Sequence, residues 1–489
     1  MKGKTSLFLS AFLLLIVSSC NSDDDSQQPD SNTGGGDSLD QMQAQTIEDI
    51  TSGSSKIWHF SEITLSNSSV TDLNIANNFN TTDDEFVISV SNTNDVTLEW
   101  SEGHRINYNG TTSEETLLEY YQFPNTYTMS FLDDSSTDLT VPDASINFTV
   151  INNNLIQGTV TLTSGETISF SLIEKTVSAY LQPSTSTLSF TNLYTFESTG
   201  ILQSPGMKSS WVDNSIFIGT REEFVINNIR PERIFKYNLD NANLTQIDFL
   251  NPDFVTKNLH IINDKLVVAA GQNINQYNID LTDNPTTSSH GQLLTRFGSA
   301  NSGDNIFIVG GVLGADADLN KIFKWDMQTQ TMSEFGLIPE DRSGARATIV
   351  HDKLYVFGGS QTFFGDPEDT IFVVSLNDSS EVTTLSMTNP VNFTFVQRKE
   401  NLIYLAGRKD IKDNTGTTIG REPVLGVFNT LDNIYQELQS NLSSTSGFDT
   451  IHGMTILDNK MYIIYGDFGV DVGSPNNLRQ WDVMVSDLN

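Results

Sequence analysis

Between residues 46 and 180 the apolar positions fall in short runs, and within the runs they alternate with polar ones. Phe86, Ile88 and Val90 alternate with Val87 and Ser89, the two-residue period of a strand with one buried face. Similar runs, rich in β-branched and aromatic residues, predict strands over 56–65, 85–90, 96–100, 127–132, 145–151, 156–163 and 167–173. Asn152-Asn153-Asn154 and Ser164-Gly165 separate neighbouring runs as tight turns. Apolar spacing of helical type is confined to Leu39–Ile50. The chain therefore reads as all-β from here to its end.

From about residue 185 the pattern repeats. Six segments align: VDNSIFIGT from 212, INDKLVVAAG from 262, SGDNIFIVGG from 302, VHDKLYVFGG from 350, RKENLIYLAG from 398 and LDNKMYIIYG from 457. Each is a polar turn, then an apolar strand, then glycine. The first apolar residues are Ile216, Leu266, Ile306, Leu354, Leu402 and Met461, spaced by 50, 40, 48, 48 and 59 positions. A further strand follows most of them, as in RIFKYNLD from 233, NINQYNID from 273, KIFKWDMQ from 321, TIFVVSLN from 370 and LRQWDVMV from 478. A self-similar period of this length is the mark of a propeller built from four-stranded blades.

The period, the diglycines Gly310-Gly311 and Gly358-Gly359, and an aromatic about 20 residues after them resemble the kelch repeat. The best single match is RSGARATIVHDKLYVFGG from Arg342. Departures are single glycines in blades 1, 2, 5 and 6 and the absence of an aromatic at Val374. The resemblance implies a six-bladed kelch-type β-propeller over 185–489. Tyr237, Tyr277, Trp325 and Trp481 are expected to pack between blades. Blade 6 ends without an outer strand, so STLSFTNLYTF from Ser186 is expected to supply it and close the ring. The 46–180 half opens with KIWHFSEITL and resembles the lipocalin-like β domains of Bacteroidetes lipoproteins, implying a small β-barrel; a β-sandwich is the alternative. Trp58 reads as the core plug of that domain.

The N-terminus changes where this architecture is placed. Lys2 and Lys4 precede an apolar run from Leu7 to Val17, too short for the roughly 20 residues of a membrane-spanning helix. Val17-Ser18-Ser19-Cys20 follows and resembles a lipobox, with Val in place of the usual Leu. That resemblance implies a signal peptide over 1–19 and lipidation of Cys20, whose acyl chains would be the only attachment to a membrane. Ser22-Asp23-Asp24-Asp25 resembles the acidic export tract of surface lipoproteins. Residues 20–45, with Gly34-Gly35-Gly36 and many Ser, Asn, Gln and Asp, read as a flexible acidic tether. The expected location is the outer membrane, facing outward; the periplasmic face is the alternative.

Charge and composition then exclude whole classes of function. The net charge is −35, from 61 acidic and 26 basic residues, with no Lys/Arg cluster to track a phosphate backbone; no nucleic-acid partner is expected. The six histidines, at 59, 104, 260, 290, 351 and 452, form no zinc-binding spacing. Asp316, Asp318 and Asn320 have a hard-cation spacing, yet lack the glycine and distal glutamate of an EF-hand. Galactose oxidase, a copper enzyme of kelch type, needs a Tyr–Cys crosslink, and the single cysteine here is assigned to lipid. No metal and no cofactor are expected.

Candidate contacts at the central opening come from the start of each inner strand: His260, Arg296, Arg342, Arg346 and His452. Three arginines at equivalent positions would suit a carboxylate or sulfate held by bidentate hydrogen bonds. The plainer alternative pairs Arg342 and Arg346 with Glu340 and Asp341. The functional expectation is a non-catalytic surface platform binding an extracellular glycan or a partner protein. The alternative is a carbohydrate-active kelch enzyme, of epimerase or mutarotase type, working at the central opening with Arg342 and His452.

Overall fold

The structure is a computed structural model. It describes residues 39–65, 84–91, 95–101, 107–108, 111–112, 126–133, 135–141, 145–161, 167–199, 206–210, 213–221, 232–249, 258–313, 319–362, 365–443, 449–467 and 478–488. Cys20 and the acidic tract lie outside the described residues, as do Asp316 and Asp318. Helix Leu39–Thr51 opens the described chain and begins inside the segment read as tether.

Eight strands then close into an antiparallel barrel. In spatial order they are Ser55–Leu65, Thr167–Glu174, Leu155–Thr161, Ile146–Asn152, Leu139–Val141, Thr126–Phe131, Val96–Ser101 and Glu85–Val90. Seven were legible from alternation. The eighth, Leu139–Val141, is three residues long and too short to show a period. Closure settles barrel against sandwich.

The barrel interior is a packed core. Phe60 meets Phe86, Trp100 and Phe170 edge-on, at ring-centroid distances of 4.7, 5.7 and 5.6 Å. Gly158 makes room for this packing: a Cβ there would sit 2.2 Å from Cζ of Phe170. Trp58 is fully buried, and its indole Nε1 donates to the carbonyl of Ile50 at 3.0 Å, which fastens the helix to the barrel. The interior is thus filled by side chains, as small barrels require.

Six four-stranded sheets follow, and their inner strands touch in cyclic order, the sixth returning to the first. The inner strands are Gly206–Ser210, Asn258–Ile262, Gly298–Ser302, Arg346–Val350, Asn392–Lys399 and Asp449–Leu457. Between the first and the sixth, Ser209 donates its N–H to Thr455 Oγ1 at 2.9 Å and its hydroxyl to the carbonyl of Ile456 at 2.7 Å. This is a six-bladed β-propeller. The strand Thr191–Thr199 pairs with Leu478–Asp487 and completes blade 6 from outside. Closure occurs as the sequence predicts, with the strand starting five residues later than the motif.

Blade 2 departs from the pattern. Its repeat has no loop between Gly271 and Asn273, so the two segments run on as one strand, Lys265–Asn278. That omission is why its spacing to the next blade is the shortest. The short strand Val312–Leu313 then borders Thr286–Thr295 in the same sheet.

The repeat residues have the physical roles their types suggest. Tyr237, Tyr277, Trp325 and Trp481 are buried, and Tyr237 stacks on Tyr194 of the closing strand at 4.7 Å. Gly310 has φ +62°, and a Cβ on it would meet the carbonyl oxygen of Arg342 at 2.2 Å; Gly359 has φ +77° and would meet Ala345 N at 2.8 Å. Gly310 thus runs directly against the segment leading into the inner strand of blade 4, and Gly359 against the same segment from within that blade.

Candidate functional site

The propeller has two faces. On the turn face lie the short turns joining first and second strands. Asn214, Asp264, His351, Glu400 and Asp458 there take positive φ, which tight hairpins favour. The barrel docks on this face. Glu85 of the barrel places Oε1 2.7 Å from Lys175 Nζ and Oε2 3.2 Å from Nε2 of His351 in the blade 4 turn. Lys175 also lies over the Tyr180 ring at 4.5 Å. Asn401 of the blade 5 turn receives the Leu181 N–H at 3.1 Å and returns a bond from Nδ2 to the Leu181 carbonyl at 3.1 Å. The opposite face, where the inner strands begin, is the loop face.

The predicted site residues separate into two groups on this frame. His260 and His452 do not line an accessible opening; both are 4 % exposed. His260 Nδ1 lies 3.1 Å from Asn301 Oδ1 and Nε2 lies 2.8 Å from Ser299 Oγ. That pair of partners fits a neutral ring donating from Nδ1 and accepting at Nε2. Burial pushes its pKa down to about 3, helped by the charge of Lys208. His452 donates from Nε2 to the Gly466 carbonyl at 3.3 Å and packs edge-on against Trp481 at 4.8 Å. Burial likewise pushes it down to about 3. Alternating inward residues of an inner strand face the neighbouring blade as often as the axis, which sequence spacing alone does not resolve.

Arg342 is also interior. It is fully buried, with Nη1 3.0 Å from Glu340 and 2.9 Å from the Asp341 carbonyl, and its guanidinium lies over Phe372 at 4.8 Å. Its backbone is bound by Leu319 and Gly311. It is a strut between blades 3 and 4, and the plain pairing with Glu340 holds for it.

Arg296 and Arg346 behave differently. Both are half-buried at the loop-face end of adjacent inner strands, those of blades 3 and 4. Arg346 reaches across to blade 3: its Nη1 donates to the carbonyl of Ala345 at 3.1 Å and to that of Phe297 at 3.4 Å. Asn258 of blade 2 donates to the same Phe297 carbonyl at 3.2 Å. Phe395 of blade 5 faces the guanidinium at 5.6 Å. Burial, and then the positive charge of Arg296, push Arg346 down to about 10. Among the described residues no carboxylate pairs with Arg346, so its expected pairing with Glu340 or Asp341 does not form.

Two further arginines stand at this end and escaped the sequence reading. Arg408 and Arg421 sit at the base of a long blade 5 hairpin and share Asp410, each with Nε close to Oδ1, at 3.2 and 3.1 Å. Arg408 is pushed down to about 10 by burial and by Arg421. Their signal was present, since the chain has 11 arginines, but Arg408 follows a single glycine and Arg421 lies in a hairpin the repeat does not contain.

Fold and site together define a two-domain protein, a filled eight-stranded barrel fixed to one face of a six-bladed propeller. No family model and no curated protein matches the chain. Among solved structures, one titled "Structure of YjhT" is similar, with 12% identity and a TM-score of 0.40, over 60% of this chain and 95% of that one.

Proposed function

We propose that the protein is a lipoprotein of the Bacteroidetes type, anchored through Cys20 in the outer membrane and facing outward. Its propeller, of kelch type, acts as a non-catalytic platform for an extracellular glycan or a partner protein. The observation that carries this reading is the state of the two histidines. An acid–base catalyst works best with a pKa near the working pH and within reach of substrate. His260 and His452 are sealed inside the ring and held neutral far below that range. Arg342, the other residue an epimerase reading would use, is sealed with them. The barrel, lipocalin-like in its strand order, occupies the turn face and leaves the loop face to the ligand.

The test is a glycan-array and pull-down screen with soluble protein beginning at residue 21. Binding without chemical change to any hit supports the platform. Turnover of a hit, lost by orders of magnitude in Arg346→Ala with folding intact, would establish the enzyme instead. For the anchor, Cys20→Ala is expected to move the protein out of the membrane fraction; retention there would defeat it.

A further inference from the structure

We infer that the loop-face mouth of the ring, between blades 3 and 4, is an oxyanion site in which Arg346, beside Arg296, takes a carboxylate or sulfate group. Lys56, Lys175, Lys236, Lys321, Arg342, Lys412 and Arg421 each meet a carboxylate. With 61 acidic residues against 26 basic ones, partners are abundant. Arg346, by contrast, pairs with no carboxylate among the described residues: it sits half-buried beside Arg296 and is held by two carbonyls and a ring.

Those contacts leave a particular part of the guanidinium available. The two carbonyls engage Nη1, which fixes the plane of the group. Nε and Nη2 make no bond to the described protein and are not sealed off, in contrast to the same two atoms of Arg342, which are. That edge presents two parallel N–H groups, the geometry that accepts two oxygens of one carboxylate or sulfate. The positive charge of Arg296 beside it adds to the attraction of Arg346 for an anion. The −35 net charge elsewhere raises the salt sensitivity of the site without altering its geometry.

The site stands on the arginine geometry; only the molecule that carries the anion rests on the platform reading. The experiment is thermal unfolding of the soluble protein in sodium sulfate or sodium glucuronate, against sodium chloride at matched ionic strength. A saturable rise in Tm with either oxyanion is expected. Its half-saturation should move up by about tenfold or more in Arg346→Gln, and by less in Arg296→Gln and in Arg346→Lys, which keeps charge but not the fork. Lys353→Gln, on the turn face, should leave it unchanged. A response to sulfate alone or glucuronate alone identifies the group. No saturable rise, or one equal in Arg346→Gln and the parent, overturns the inference. If the oxyanions bind but no glycan or protein is captured, the site stands and the platform falls.

Discussion

Acidification from pH 8 to pH 5 should weaken the propeller through its buried histidines. His260 and His452 are each pushed down to about 3 by burial, and His290 down to about 4. In the unfolded chain each titrates near 6.5. The folded pKa lies below the unfolded one, so the contribution is fully present above about pH 6.5 and is lost as pH falls toward the folded value. At pH 5 the unfolded imidazole is almost fully protonated and the folded one is not. The loss is about 1.5 units of 1.36 kcal/mol, or about 2 kcal/mol per histidine and about 6 kcal/mol for the three. Glu99, Glu400 and Asp458 carry raised pKa values from burial and act in the opposite direction, as does relief of the net negative charge. Comparing parent and His260→Gln at each pH cancels those contributions. Urea unfolding followed by tryptophan fluorescence should show the variant losing about 2 kcal/mol less than the parent between pH 8 and pH 5. Identical pH slopes in the two proteins would refute the buried-neutral assignment of His260.

Four further outcomes follow from the packing. Phe196 is 3 % exposed and lies 5.2 Å from Phe235, so Phe196→Ala should cost about 3–5 kcal/mol. A form beginning at residue 200 should melt below one beginning at 182, and equal Tm values would contradict closure by the Thr191–Thr199 strand. Glu85→Gln removes the carboxylate that faces the Lys175 ammonium, whose side chain is 2 % exposed, and should destabilise the joint by about 3–5 kcal/mol. Calorimetry should then resolve separate barrel and propeller transitions; adding Lys175→Met should restore most of the loss, and a single unshifted transition would count against the joint. Gly310→Ala forces a Cβ to 2.2 Å from a backbone oxygen at φ +62°, and should cost about 3 kcal/mol or more by denaturant titration.

The sequence by itself determined the all-β class, seven of the eight barrel strands, the blade count and the strand that closes the ring. These are consequences of local periodicity and of a pattern repeated six times, and periodicity is written directly along the chain. What the sequence left open depends on distances between residues far apart along the chain. Whether His260 faces an opening or the neighbouring strand depends on Ser299 and Asn301 coming within hydrogen-bond reach. Arg342 and Arg346 are four residues apart with the same chemistry, yet one is sealed over Phe372 beside Glu340 and the other is aimed at blade 3 without a carboxylate. The barrel and propeller each read clearly as separate β units, but only the meeting of Glu85, Lys175 and His351 decides which face is covered. Strand identity is a property of neighbouring residues, whereas burial and electrostatic environment belong to the packed ring.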